Sequence, residues 1–454
     1  MKLTFAGAAG TVTGSRHLLE SGDLAVMLDC GLFQGFKQLR LRNRSPLPIA
    51  PARLDAVVLS HAHLDHSGYL PALVRDGFTG PVYASAATRD LCEILLKDSA
   101  HLQEEEARYA NRHGYSRHAP AEPLYTVDDA LRAIERITPV RFGEPFSLGE
   151  GLQGMLEPAG HLLGAATVRL LRGKRSLLFS GDLGRPADTI LRAPAPFPGA
   201  DVLLLESTYG NRSHPPDDAQ TVLAGIIRET AAHGGTVLIP SFAVGRAQTV
   251  MLALARLKAA GEIPPDLPVF LDSPMAIDAT ALYRKYRQQH RLSVAECRAM
   301  CSVARLVNTP DQSRALAGLR MPSVIIAASG MATGGRVLHH LKSLAPDPRN
   351  HILFVGYQAG GTRGAHLVAG ATEVKIHGEW HPVRARVSNI DVWSAHADAD
   401  EILAWLKGAP RAPDQVYLVH GDPDAADTLR QRIEERMHWP VQVPEHLQSV
   451  EIDL

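Results

Sequence analysis

Short, nearly continuous apolar runs recur along this chain, and most of them end in a polar or acidic residue. In the first half they occupy residues 24–29, 55–60, 81–84, 176–180 and 201–206. Runs of this length without polar alternation predict strands covered on both faces. Residues 90–107 instead carry apolar positions at helical spacing, and Glu104, Glu105 and Glu106 read as their solvated face. A different texture begins near Tyr209. Strands are predicted at 236–240, 269–272, 323–328 and 351–355, and an amphipathic helix over 245–260 is ended by Gly261. Strands alternating with helices predict a parallel-sheet α/β unit. From Ser388 onward, runs again close on polar residues: Ser394-Ala395-His396-Ala397-Asp398, and Val416 to His420. No internal repeat or low-complexity tract interrupts the pattern.

Composition narrows the function classes. The 454 residues hold 47 Lys+Arg and 48 Asp+Glu, a net charge of −1, which argues against a uniformly basic nucleic-acid binder but leaves room for a local basic surface. At 45% hydrophobic and 21% charged the chain is globular, not disordered. No stretch approaches the ~18 apolar residues of a membrane span, and the N-terminus lacks a signal-peptide pattern. Four cysteines, Cys30, Cys92, Cys297 and Cys301, are too few for a disulfide framework in a chain of this length. A cytoplasmic setting without membrane contact is expected. The unusual count is histidine, at 21 residues, because imidazole is the commonest metal ligand.

The histidines cluster where a metal site would need them. His61-Ala62-His63-Leu64-Asp65-His66 follows a predicted buried strand, with four donors in six residues. Further donors stand at strand ends downstream: His161, Asp182 in Ser180-Gly181-Asp182, and His420. One arrangement satisfies zinc chemistry. His61, His63 and His161 hold one ion, Asp65, His66 and His420 hold a second, and Asp182 bridges both with its two oxygens. Ions about 3.5–4 Å apart can share a hydroxide and clamp a phosphodiester. Asp29, at the end of an apolar run, reads as a carboxylate that orients a ligand imidazole.

These motifs resemble the metallo-β-lactamase superfamily, in which the order Asp29, His61–His66, His161, Asp182 runs along an αββα sandwich. The segment after Glu206 resembles the insertion of the β-CASP nuclease branch: Glu206 in Glu206-Ser207-Thr208-Tyr209-Gly210 matches that branch's first extra motif, His396 its second and His420 its third. The opening Gly7-Ala8-Ala9-Gly10-Thr11-Val12-Thr13-Gly14-Ser15 and His66-Ser67-Gly68-Tyr69-Leu70-Pro71 are similar as well. The nearest pattern is that of the endonuclease subunit of the eukaryotic mRNA cleavage and polyadenylation complex and its compact prokaryotic counterparts. The resemblance implies residues 1–208 and 388–454 as the two parts of a hydrolase domain and 209–387 as an inserted parallel-sheet domain. Neither the N-terminal RNA-binding extension of archaeal members nor the C-terminal domain of ribonuclease J is expected, so partner-dependent or processive behaviour is not carried over.

The resemblance implies a ribonuclease that uses two Zn²⁺, with Mn²⁺ as an alternative, and leaves 5′-phosphate and 3′-hydroxyl ends. Asp65 and Asp182 would act at the metals. His396 would donate a proton to the leaving oxygen, and Glu206 would hold it protonated. A histidine at position 420, where repair nucleases of the branch generally carry valine, implies RNA over DNA. Single-stranded RNA is the expected partner, and a homodimer is compatible with the resemblance. For substrate contacts, Ser329 sits in a small-residue turn suited to a phosphate, Arg246 could pair a phosphate and Tyr357 could stack a base. Competing readings are a nuclease of single-stranded DNA, a small-molecule hydrolase, and a non-catalytic RNA-binding scaffold, the last weakened because every ligand position is filled. Charge supports RNA: residues 209–387 hold 20 basic and 12 acidic side chains, +8, leaving −9 elsewhere.

Overall fold

The computed structural model describes residues 1–114, 116, 118–214, 219–319, 321–356, 358–390 and 393–454. Tyr357 lies outside the described residues. The chain forms two compact units, Met1–Ser213 with His396–Leu454, and His214–Ala395.

The first unit is a sandwich of two seven-stranded sheets. One runs in the order Ser449–Glu451, Lys2–Phe5, His17–Ser21, Leu24–Leu28, Ala56–Val58, Val82–Ser85, Ile137–Val140. The other runs Val441–Gln442, Gln415–Val419, Val202–Glu206, Arg175–Phe179, Ala166–Arg172, Leu152–Pro158, Phe146–Gly149. Their facing side chains make one core, in which Phe5, Leu19, Val26 and Val58 meet Leu156, Val168, Leu177 and Leu204. The outer face of the second sheet is covered by the helices Ala399–Leu406 and Pro423–Met437 through Leu403, Leu406, Leu429 and Ile433. The helices Ala86–His113 and Val127–Glu135 pack beside the first sheet. This is the expected αββα layering.

Strands expected from continuous apolar runs occur where the runs are, and those at the site are parallel: Leu24–Leu28 with Ala56–Val58, and Val202–Glu206 with Gln415–Val419. Parallel neighbours place their C-terminal ends together, so the polar residues that end each run gather at one edge. The helix expected over 90–107 is longer, Ala86–His113, because Ser85 caps its start through Thr88 N (3.1 Å) and Gly114 closes it in a left-handed conformation. Its acidic patch is not wholly solvated. Glu104 accepts the Val127 amide at 2.8 Å, which anchors the next helix.

The second unit contains a six-stranded parallel sheet in the order Arg305–Leu306, Val269–Asp272, Ser323–Ala327, Thr236–Pro240, His351–Val355, Arg386–Ile390. The helix Arg246–Ala259 follows Thr236–Pro240, close to its expected span. Among the described residues no helix is long and apolar enough to cross a membrane.

Candidate metal centre

The histidine-rich motif begins where the strand Ala56–Val58 ends. A single helical turn, Leu64–Ser67, follows with His63 at its cap. His61 and His63 therefore leave an extended segment, whereas Asp65 and His66 leave a helix, and the two pairs aim differently. The motif is held against residues 29–32 by backbone bonds: Cys30 N to His66 O (2.7 Å), Leu32 N to Leu64 O (2.8 Å) and Tyr69 N to Cys30 O (2.8 Å). This approach requires glycine at 31, because a Cβ there would stand 1.6 Å from the Asp65 carbonyl oxygen.

Two donor groups result. In the first, ligand atoms of His61, His63, His161 and Asp182 all lie within 4.8 Å of one another; in the second, those of Asp65, His66 and His420 do. Asp182 faces both with different oxygens. Its Oδ2 is 3.5 Å from Nε2 of His61 and of His161, and its Oδ1 is 3.3 Å from His66 Nε2 and 3.4 Å from His420 Nδ1. Ring nitrogens crowd at 3.0 Å between His61 and His63 and between His66 and His420.

Asp29 is fully buried and collects four hydrogen bonds, from Ser15 Oγ (3.0 Å), Ser60 N (2.7 Å), Ser60 Oγ (2.9 Å) and His66 Nδ1 (2.7 Å). It thereby fixes the His66 proton on Nδ1 and turns the Nε2 lone pair toward the site. Ser60 Oγ also lies 3.1 Å from His61 Nδ1, so one carboxylate orients two imidazoles. Ser15, Ser60 and Thr208, which contacts His420 Nδ1 at 3.1 Å, were not legible as site residues. Serine and threonine beside a motif are common, and their role depends on long-range approach.

Electrostatics suits a cation. Burial pushes His61 and His161 well below the ordinary imidazole value and His63 down to about 4, so their nitrogens present lone pairs. Burial opposes charge on Asp182, yet the imidazoles of His420, His66, His396 and His61 outweigh it and hold the carboxyl well below its usual range. Burial likewise opposes charge on Asp65, but a hydrogen bond from His420 and the nearby imidazoles keep it ionised. At His66 burial is overcome by Asp182 and Asp29, which raise its pKa well above normal, so without a metal a proton occupies the Nε2 position that a cation would take. Asp182 Oδ1 is buried without a hydrogen-bond partner. A buried carboxylate ringed by convergent imidazoles fits a divalent metal and is costly without one.

Beside this cluster, Glu206 ends the strand Val202–Glu206 fully buried. It accepts Leu183 N at 2.6 Å and pairs with His396 Nδ1 at 3.1 Å. His396 Nε2 is 3.9 Å from Asp182 Oδ2. Burial disfavours the charged ring, but Glu206 and Asp182 lift its pKa to about 9.

In the second unit Ser329 and Arg246 stand just past the C-terminal ends of two paired strands, in which Pro240 is opposite Ala327. The Ser329 hydroxyl accepts Thr333 N (3.1 Å). A Cβ on Gly356, just past the strand His351–Val355, would lie 3.4 Å from the Arg246 guanidinium. Sequence reasoning missed Asp272, which is buried and binds Arg336 (2.7 Å) and His340 (2.6 Å).

Comparison with known families matches the metallo-beta-lactamase superfamily over residues 10–232, a Beta-Casp domain over 247–367, and a Zn-dependent metallo-hydrolase RNA specificity domain over 380–444. The chain is 40% identical to Ribonuclease TTHA0252 of Thermus thermophilus over 93% of this chain and 94% of that protein. It is 31% identical to the transcription termination factor FttA of Methanocaldococcus jannaschii, covering 97% of this chain and 70% of that protein. A crystal structure of a protein of unknown function from Enterococcus faecalis shares the fold, with a TM-score of 0.56 at 13% identity over 99% of both chains. With its His/Asp cluster, its sandwich and its inserted unit, the chain belongs to the β-CASP RNA nucleases of the metallo-β-lactamase superfamily.

Proposed function

We propose that the chain is a two-zinc ribonuclease that cuts single-stranded RNA and leaves 5′-phosphate and 3′-hydroxyl ends. The observation that carries this reading is Asp182, which offers one oxygen to each of two donor groups. His61, His63 and His161 with Asp182 would hold one Zn²⁺ or Mn²⁺, and Asp65, His66 and His420 with Asp182 the other. When bound, such ions lower the pKa of water and neutralise charge on the scissile phosphate. The chain's own residues supply the rest. His396, charged through Glu206, donates its Nε2 proton to the leaving oxygen, and Asp29 keeps His66 and His61 oriented. Arg246 and Ser329 bind backbone phosphate in the inserted unit, which runs from His214 to Ala395 and so begins and ends a few residues later than the expected 209–387. The relatives' names, a ribonuclease and a transcription termination factor, support RNA as substrate.

The test is hydrolysis of 5′- and 3′-end-labelled RNA, with Zn²⁺ or Mn²⁺ added, by the wild type and by Asp65→Ala. Loss of cleavage in the variant, with 5′-phosphate products from the wild type, is expected. Equal activity in the two proteins would sink the two-metal assignment, and preference for a matched DNA strand would sink the RNA reading.

A further inference from the structure

The segment that leaves the metal-binding turn has an unusual build. Phe33 N donates to Asn43 Oδ1 (2.9 Å) and Asn43 Nδ2 donates to Phe33 O (2.7 Å), so residues 34–42 form an arch closed at its base. Beneath it lies Arg16, 2% exposed, which binds Gly31 O (2.7 Å) and Asn43 Oδ1 (3.0 Å) and stacks on the Tyr69 ring at 3.8 Å. On either side of Gly31, Cys30 N and Leu32 N donate to His66 O and Leu64 O of the turn that carries the candidate metal donors. The arch is thus rigidly mounted on the catalytic turn.

Its top faces solvent. The helix Lys37–Arg42 within it has no buried residue. Lys37, Arg40 and Arg44 are exposed, Arg42 is half-buried over Phe33, and Phe36 is 59% exposed. From Cys30 to Leu54 there are five basic residues and no acidic one, in a unit that otherwise runs acidic, with 28 basic and 35 acidic residues in all. A solvated surface normally intersperses both signs. Compact loops with joined ends are frequently functional.

We propose that this arch is an RNA-backbone contact carried by the catalytic unit, with Lys37 and Arg40 on phosphates and Phe36 against a base. The proposal rests on the ribonuclease reading above. Charge complementarity selects a polyanion. A membrane is disfavoured because Leu39 and Leu41, two residues apart, point about 200° from each other around the helix and make no apolar face. Cations beside an exposed aromatic ring are the elements of a single-strand platform.

The test is the salt dependence of binding to a fluorescein-labelled single-stranded RNA, followed by anisotropy with full-length protein in an Asp65→Ala background that keeps the RNA intact. Each phosphate contact contributes about 0.7 to the slope of log affinity against log salt for single strands. The pair Lys37→Gln/Arg40→Gln is expected to flatten the slope by about 1.4 and to weaken binding about 25-fold near 0.1 M salt. The pair Lys174→Gln/Lys407→Gln, at exposed positions elsewhere in the same unit, is expected to keep the parent slope. An arch variant with the parent slope, as an arch that serves a membrane or a protein would give, overturns the proposal. Equal flattening in both pairs also overturns it, since bulk charge would then be the cause. A parent protein that binds no RNA defeats the functional reading and this inference together, whereas an unchanged slope defeats the inference alone.

Discussion

Replacing Glu206 by glutamine separates a proton-donor role for His396 from a structural one. The carboxylate accepts Leu183 N at 2.6 Å and holds His396 Nδ1 at 3.1 Å. Glutamine can keep the first bond through its oxygen, but its amide then donates to Nδ1 and stabilises a neutral ring. Burial opposes the imidazolium, and it is chiefly Glu206, then Asp182, that raises the pKa to about 9. Without Glu206 it falls toward the ordinary imidazole value of about 6.5. The needed form is the protonated one, so activity is retained below the pKa and lost as pH rises through it. At pH 8 the charged fraction drops from about 0.9 to about 0.03, a loss of about 30-fold, whereas near pH 6 the two proteins differ less than twofold. The assay is kcat/KM for a labelled RNA from about pH 5.5 to 9.5. Cations held by Asp182 would lower both alkaline limbs together, so the separation between the limbs is diagnostic. A deficit constant across pH would refute the assignment and leave Glu206 a packing residue.

Asp29→Asn conserves shape but gives Asn an N–H where His66 Nδ1–H now donates, so His66 flips to the tautomer with its proton facing the site. Zinc affinity is expected to fall 10–100-fold, read by competition with a chromogenic chelator; an unchanged affinity would contradict the orienting role. His17 is fully buried between Phe5 and Phe179, neither ring nitrogen has a hydrogen-bond partner, and burial pushes its pKa to about 3. Its folded pKa is depressed, so its stabilising effect is full above about pH 6.5 and is lost as pH falls toward 3, on the order of 4 kcal/mol over that window. The urea midpoint of the wild type should therefore drop more steeply on acidification than that of His17→Leu, and parallel curves would argue against this origin.

The strands that build the site were legible because they are buried on both faces and end in donors: Leu24–Leu28 before Asp29, Val202–Glu206 at Glu206, Gln415–Val419 before His420. The antiparallel part was not. Lys2–Phe5 is four residues long, and its partner Ser449–Glu451 comes from the other end of the chain, a pairing no local period announces. In Leu152–Pro158 a glycine stands at the third position, where Phe146 packs on it, and the alternation is blurred. The candidate metal donors stood out because imidazole and carboxylate at strand ends have few structural uses. Arg16 did not. A buried arginine held by carbonyl and amide oxygens leaves no pattern in sequence, and its place follows only once the 29–33 and 64–69 segments are brought together. Asp272 was hidden in the same way, as one more acid ending a strand.

Among the described residues, eight non-glycine positions carry left-handed backbone, and two of these belong to the candidate site. Asp29 and His420 both adopt left-handed conformations, with φ of 59° and 51°, and neither is glycine. Each such position costs about 1–3 kcal/mol and persists only when its surroundings over-determine it. Here they do. Asp29 N donates to Val58 O at 2.9 Å while its carboxylate is saturated, and His420 N donates to Ala8 O at 2.7 Å while its carbonyl accepts Thr208 Oγ1. Both residues are the first after a buried parallel strand. The left-handed step there turns the chain sharply, so the side chain at the strand end is held over the sheet edge instead of continuing along it. Glycine would make the turn without strain but would supply no donor. The fold therefore retains an acid and a histidine where local preference favours glycine, which is the conflict expected where a residue is kept for its chemistry.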